Sequence, residues 1–110
     1  MGKIGIMLIH SVYFWLKPAL SKDDRNFFFE EVNALSEIES VTHTYTGRPA
    51  STPKREVVDD SYDCGITVIL KDISAHDQYQ ADPLHLAFIQ KCSHLWEKVV
   101  IYDSESVSYT

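Results

Sequence analysis

LIHSVYFWL, residues 8–16, alternates along its whole length: Leu8, His10, Val12, Phe14 and Leu16 share one face, and Ile9, Ser11, Tyr13 and Trp15 the other. A strand with one wet face carries a polar residue at every second position, and this one is largely apolar on both sides. It therefore needs protein packed against each face. Helices of the same chain can cover one of them, and the side with Tyr13 and Trp15 is left for something else.

The neighbouring stretches supply those helices. Pro18 ends the strand, and Ser21 with Asp24 forms a capping-box pattern that predicts a helix start. Phe28, Val32, Leu35 and Ile38 then recur at helical spacing, with Glu30, Glu31, Glu37 and Glu39 on the wet side. VTHTYTG (41–47) predicts a second strand ending at Gly47. Residues 48–60, with Pro49, Pro53 and the basic Arg48, Lys54 and Arg55, read as an irregular loop able to cover a pocket mouth. SYDCGITVILKD (61–72) reads as a third strand with Tyr62, Cys64, Ile66, Val68 and Leu70 on one face. A second helical region is expected from Ser74, capped with Asp77, and VVIYDSESVSY (99–109) closes the chain as a strand.

The order βαββαβ predicts an α+β, ferredoxin-like subunit with both helices on one side of the sheet. An apolar patch as large as its open face is hazardous on a monomer, so the pattern predicts a homodimer joined through that face.

Composition bounds the rest. A chain of 110 residues, 45% of them hydrophobic, fits one domain spanning 1–110. Sixteen acidic residues against ten basic ones give a formal charge of −6, which disfavours nucleic acid as a partner. The apolar opening MGKIGIMLIH is too short for a bilayer span and lacks a cleavage-like site, so a non-membrane, cytoplasmic protein is expected. Cys64 and Cys92 have no CxxC or metal-like spacing and suit buried free thiols in a reducing compartment.

The chemistry concentrates at YQADPLHLAF, residues 79–88. Asp82 followed by Pro83 is a helix-start signature and places His85 in the first turn. His85, Phe88, Cys92 and Trp96 fall along one helical face, which points the imidazole inward. Burial and the positive helix end both lower its pKa, against the opposing charge of Asp82, and a neutral imidazole can act as a base. Tyr79 lies just across the proline break, and His10 shares its strand face with Val12 and Phe14. These residues, with Phe28 and Phe88, are expected to converge on one hydrophobic pocket. The same side chains also suit a core in which each merely satisfies a hydrogen bond.

His43, His76 and His94 show no HxH or HExxH spacing, so no dedicated metal site is expected. There is no GxSxG, no nucleophile motif at either cysteine and no Gly-rich phosphate loop, and no cofactor is expected.

HSVYFWLK (10–17), SYD (61–63) and YQADPLH (79–85) together resemble the stress-responsive dimeric α/β-barrel, or Dabb, family, over roughly His10 to Asp103. The resemblance implies a ferredoxin-like subunit whose sheet meets a second subunit to form a central barrel, with a pocket in each monomer between sheet and helices. Its olivetolic acid cyclase branch closes a polyketide by cofactor-free aldol condensation. The catalytic histidine and tyrosine of that branch match His85 and Tyr79, and a strand histidine matches His10. Asp82 stands where the cyclase carries another histidine, and the basic loop after Gly47 is longer. The expectation is a pocket for a small hydrophobic or carbonyl-containing ligand, used for proton transfer of the cyclase type. The alternative is noncatalytic ligand binding or a stress-stability role, and a cofactor-free monooxygenase on a similar barrel stands behind both.

Overall fold

A computed structural model of the chain describes residues 6–107. Residues 1–5 of the apolar opening, and the last residues of the predicted closing strand, lie outside these.

The elements run β1 (Leu8–Leu16), α1 (Lys22–Ala34), β2 (Val41–Gly47), β3 (Cys64–Leu70), α2 (Ile73–Ala81), α3 (Pro83–Cys92) and β4 (Trp96–Glu105), with short 3-10 turns after α1 and α3. One four-stranded sheet has the order β2-β3-β1-β4, and every neighbouring pair is antiparallel. This is the ferredoxin-like subunit that the element order predicts, with the second helical region divided in two.

β1 sits inside the sheet and alternates buried with half-buried along all nine residues. Leu8, Val12, Phe14 and Leu16 from β1 join Cys64, Ile66, Val68 and Leu70 from β3 on the helix side. Phe28 and Val32 from α1, Phe88 and Cys92 from α3, and Leu35, Ile38 and Leu95 from the turns close the layer. Rings dominate its centre: Phe28 meets Phe14 at 5.1 Å and Phe88 at 6.0 Å between centroids, edge-on or tilted.

Local signals explain most boundaries. Ser21 Oγ accepts from the Asp24 backbone N–H at 3.0 Å and starts α1. α2 begins earlier than expected, because Asp72 rather than Ser74 is the cap and its carboxylate accepts from Ala75 N–H at 2.8 Å. A carboxylate on extended backbone there satisfies a first-turn donor before Ser74 can act. α3 ends at Cys92, so Trp96 opens β4 instead of continuing the helix, yet its ring still packs on Phe14 and Phe88.

Tyr62 corrects a face assignment. β3 begins at Cys64, after a bend at Asp63, whose N–H donates to Phe14 O at 2.9 Å. The bend breaks the two-residue alternation, and Tyr62 packs against Tyr13 and Trp15 on the opposite face. Asp63 also accepts from Leu16 N–H at 2.7 Å and pairs with Arg25 at 3.4 Å, tying the end of β1 to α1.

The open face carries Tyr13, Trp15, Tyr62 and Tyr102, with Tyr13 at the centre of a ring chain. No helix among the described residues is long and apolar enough to cross a membrane. Cys64 and Cys92 are buried free thiols, their pKa values pushed up by burial to about 12 and about 11.

Candidate functional site

The site forms where α2 breaks into α3 over the β1–β4 side of the sheet. Asp82 closes α2 and caps α3 in one residue: its side chain accepts from Leu84 N–H at 2.8 Å, and Pro83 takes the first helical position. This arrangement puts Tyr79, in the last turn of α2, beside His85, in the first turn of α3. Their rings lie 4.9 Å apart, edge to face.

His10 faces them from β1, with 2% of its surface exposed and its ring 5.8 Å from that of Tyr79. Sheet register supplies its partner, since His10 pairs across the ladder with Asp103 of β4. The His10 Nδ1–H donates to the Asp103 carboxylate at 2.5 Å, since a carboxylate oxygen accepts.

A cavity of about 120 Å³ runs between these groups. His10, Val12, Phe14, Tyr79, His85 and Phe88 line it, so six of the seven residues expected from the sequence meet there. Phe28 does not: it is fully buried behind Phe14 and Phe88 and supports the wall. Ile89, Val99 and Ile101, each more than a third exposed, also line the cavity and mark an apolar mouth between α3 and β4. The 48–60 loop contributes no lining residue. Arg48 instead stacks on Phe29 of α1 at 4.1 Å and Lys54 pairs with Asp60 at 3.0 Å, so the expected cover over the mouth is not formed by this loop. A broader depression of about 620 Å³ between β2 and α2 is lined by surface residues such as Glu39, Lys71 and Gln78. Its buried, unpartnered polar atom is the Ser40 hydroxyl, with no imidazole or phenol beside it among the lining residues to match the His85–Tyr79 pair, so it is the poorer setting for chemistry.

The electrostatics separate the two central residues. The pKa of His85 is lowered, first by burial and then by the neighbouring His10, while Asp82 pulls it up and His76 adds a smaller downward effect. Its Nδ1 is buried without a hydrogen-bond partner in the protein. Burial raises the Tyr79 phenol, which stays protonated and available as a donor. At neutral pH the pair is thus a neutral base beside a neutral acid.

Two neighbours escaped the sequence reading. Asp103 is joined to His10 only by strand pairing across 93 positions, which no local spacing reveals. His76 packs its ring 5.1 Å from that of His10. It precedes Tyr79 by three residues on α2, and that helical spacing was the available signal.

The stress-responsive A/B barrel domain model matches residues 8–106. The chain belongs to this Dabb family. Among solved structures, a Dabb family protein with a ferredoxin-like fold from Mesorhizobium loti is 29% identical, with a TM-score of 0.73 over 93% of this chain and 98% of that one. The hydroxynitrile lyase of Passiflora edulis is similar at 17% identity and a TM-score of 0.78, over 92% of this chain and 94% of the lyase. A dimeric ferredoxin-like protein of unknown function from Thermobifida fusca has 16% identity and a TM-score of 0.73, with 91% of each chain covered. No curated protein matches the Dabb chain significantly.

Proposed function

We propose that this Dabb protein is an acid–base enzyme that moves a proton on a small carbonyl compound, making or breaking a bond next to the carbonyl as in aldol or cyanohydrin chemistry. The observation that carries this reading is the pairing of His85, half-buried with its Nδ1 unpartnered, with a protonated Tyr79 inside one apolar cavity. In the aldol direction His85 takes a proton from the carbon beside the carbonyl, and Tyr79 donates a hydrogen bond to the enolate oxygen. In cyanohydrin cleavage His85 takes the hydroxyl proton as the bond from carbon to cyanide breaks, and passes that proton to the departing cyanide. His10, oriented by Asp103, forms the polar end of the wall. Nothing beyond these side chains is required for that step.

Cavity size sharpens the substrate class. At about 120 Å³ the hollow is well below the 300 Å³ or so at which drug-sized sites begin, so a compact ketone or aldehyde fits better than an extended polyketide. The Passiflora neighbour is a hydroxynitrile lyase, and hydroxynitrile cleavage belongs to that class. The unpaired buried thiols fit a cytoplasmic setting, and the dimeric relatives fit a homodimer joined by the open sheet face.

The test is deuterium exchange at the carbon beside a small ketone, followed by NMR, together with cleavage of a small cyanohydrin. His85→Ala is expected to slow turnover by about 100- to 10,000-fold, and Tyr79→Phe by about 100-fold or more, with the fold intact. Equal rates in wild type and both variants would remove the catalytic reading. The apolar mouth favours a second one, noncatalytic capture of a small hydrophobic ligand. In that case His85→Ala lowers stability but leaves ligand binding nearly unchanged.

A further inference from the structure

We propose that His10, His76 and Asp103 hold a divalent transition-metal cation of the zinc class, at the junction of β1, β4 and α2. One potential donor atom from each of the three lies within 4.8 Å of the others. Two imidazoles and one carboxylate form a donor set suited to zinc and its neighbours, and too rich in nitrogen for magnesium or calcium.

Asp77 contacts His76 at Nδ1, 3.2 Å away, and favours the tautomer that leaves the His76 Nε2 lone pair for a metal, the second-shell arrangement common at histidine-bound metals. Asp103 and His10 already meet at 2.5 Å through Nδ1, and the cation would take the place of the proton between them. The Asp103 carboxylate compensates part of the charge of a dication.

Access and rigidity differ along the set. His10 is fixed in the middle of a ladder and nearly inaccessible, whereas the side chains of His76 and Asp103 are 21% and 43% exposed. The cation therefore enters from the α2–β4 side, where solvent can complete its coordination. Ligand atoms around tetrahedral zinc stand about 3.3 Å apart, so the spread of up to 4.8 Å must contract, and the partly exposed His76 has the room to move inward.

This site requires neither Tyr79 nor His85 to be catalytic, and its test uses no turnover. Tag-free full-length protein is titrated with zinc against a chromophoric chelator at neutral pH, and cobalt(II) substitution is followed by visible absorption. One equivalent per chain is expected, with a cobalt spectrum of histidine-ligated, low-coordinate type. His76→Ala should weaken affinity by about tenfold to 100-fold while metal-free melting is unchanged, and His94→Ala, altering an exposed histidine elsewhere, should leave affinity intact. Failure of wild type to bind one equivalent at micromolar zinc, or unaltered affinity in His76→Ala, overturns the assignment.

Discussion

His85 titrates in a field set by its surroundings: burial and the two histidines at positions 10 and 76 oppose its charged form, and Asp82 alone favours it. Asp82→Asn keeps a side-chain oxygen for the cap while removing that favourable charge. The acid limb of the proposed reaction's pH–rate profile, expected below the ordinary histidine value of about 6.5, should then move lower still. An upward move would show that Asp82 does not act on His85 through its charge. The same depression affects stability. As pH falls, the unfolded chain takes up the proton first, so the contribution of the neutral, half-buried ring is whole above about pH 6.5 and is lost progressively down to the folded value. His85→Gln should therefore melt with a shallower loss between pH 7.5 and 5 than wild type does. Calorimetry across that range reads the difference directly.

At the scale of elements, legibility followed the range of the interaction. Caps formed by neighbouring residues were readable: Ser21 and the Asp82–Pro83 break sit where the chain signals them, and the break juxtaposes Tyr79 and His85. Competition between local signals was harder, as at α2, where Asp72 prevails over Ser74. Alternation located the buried faces of β1 and β3 but could not foresee the bend at Asp63 that turns Tyr62 over. The His10–Asp103 pair depends on β1 lying beside β4, which is a property of the sheet and not of either strand. Packing behind the pocket gives a direct test of the core. Phe28→Ala, at a fully buried ring that touches Phe14 and Phe88, should cost about 3–5 kcal/mol in urea unfolding. A cost under about 1 kcal/mol would mean that the wall collapses readily around the lost ring.

For the whole molecule, the decisive surface is the sheet face away from the helices. β1 is half-buried there at every second position within a single chain, and Tyr13, Tyr62 and Tyr102 form a connected aromatic strip beside Trp15. An apolar strip of this kind on an antiparallel sheet is a natural seat for the same strip on a second copy, the assembly proposed above. Gly65 contributes by leaving room for the Tyr13 ring: a Cβ there would meet that ring at 3.0 Å. Two substitutions then separate folding from assembly. Tyr13→Glu places a charge in the middle of the strip and should convert the proposed dimer to monomer at micromolar concentration, with far-UV circular dichroism retained. Gly65→Leu leaves charge unchanged but displaces the Tyr13 ring, and should weaken association by a smaller factor. Sedimentation velocity distinguishes the outcomes. A wild type that sediments as a monomer would leave this aromatic face without a partner, and a Tyr13→Glu variant that stays dimeric would place the contact between subunits elsewhere.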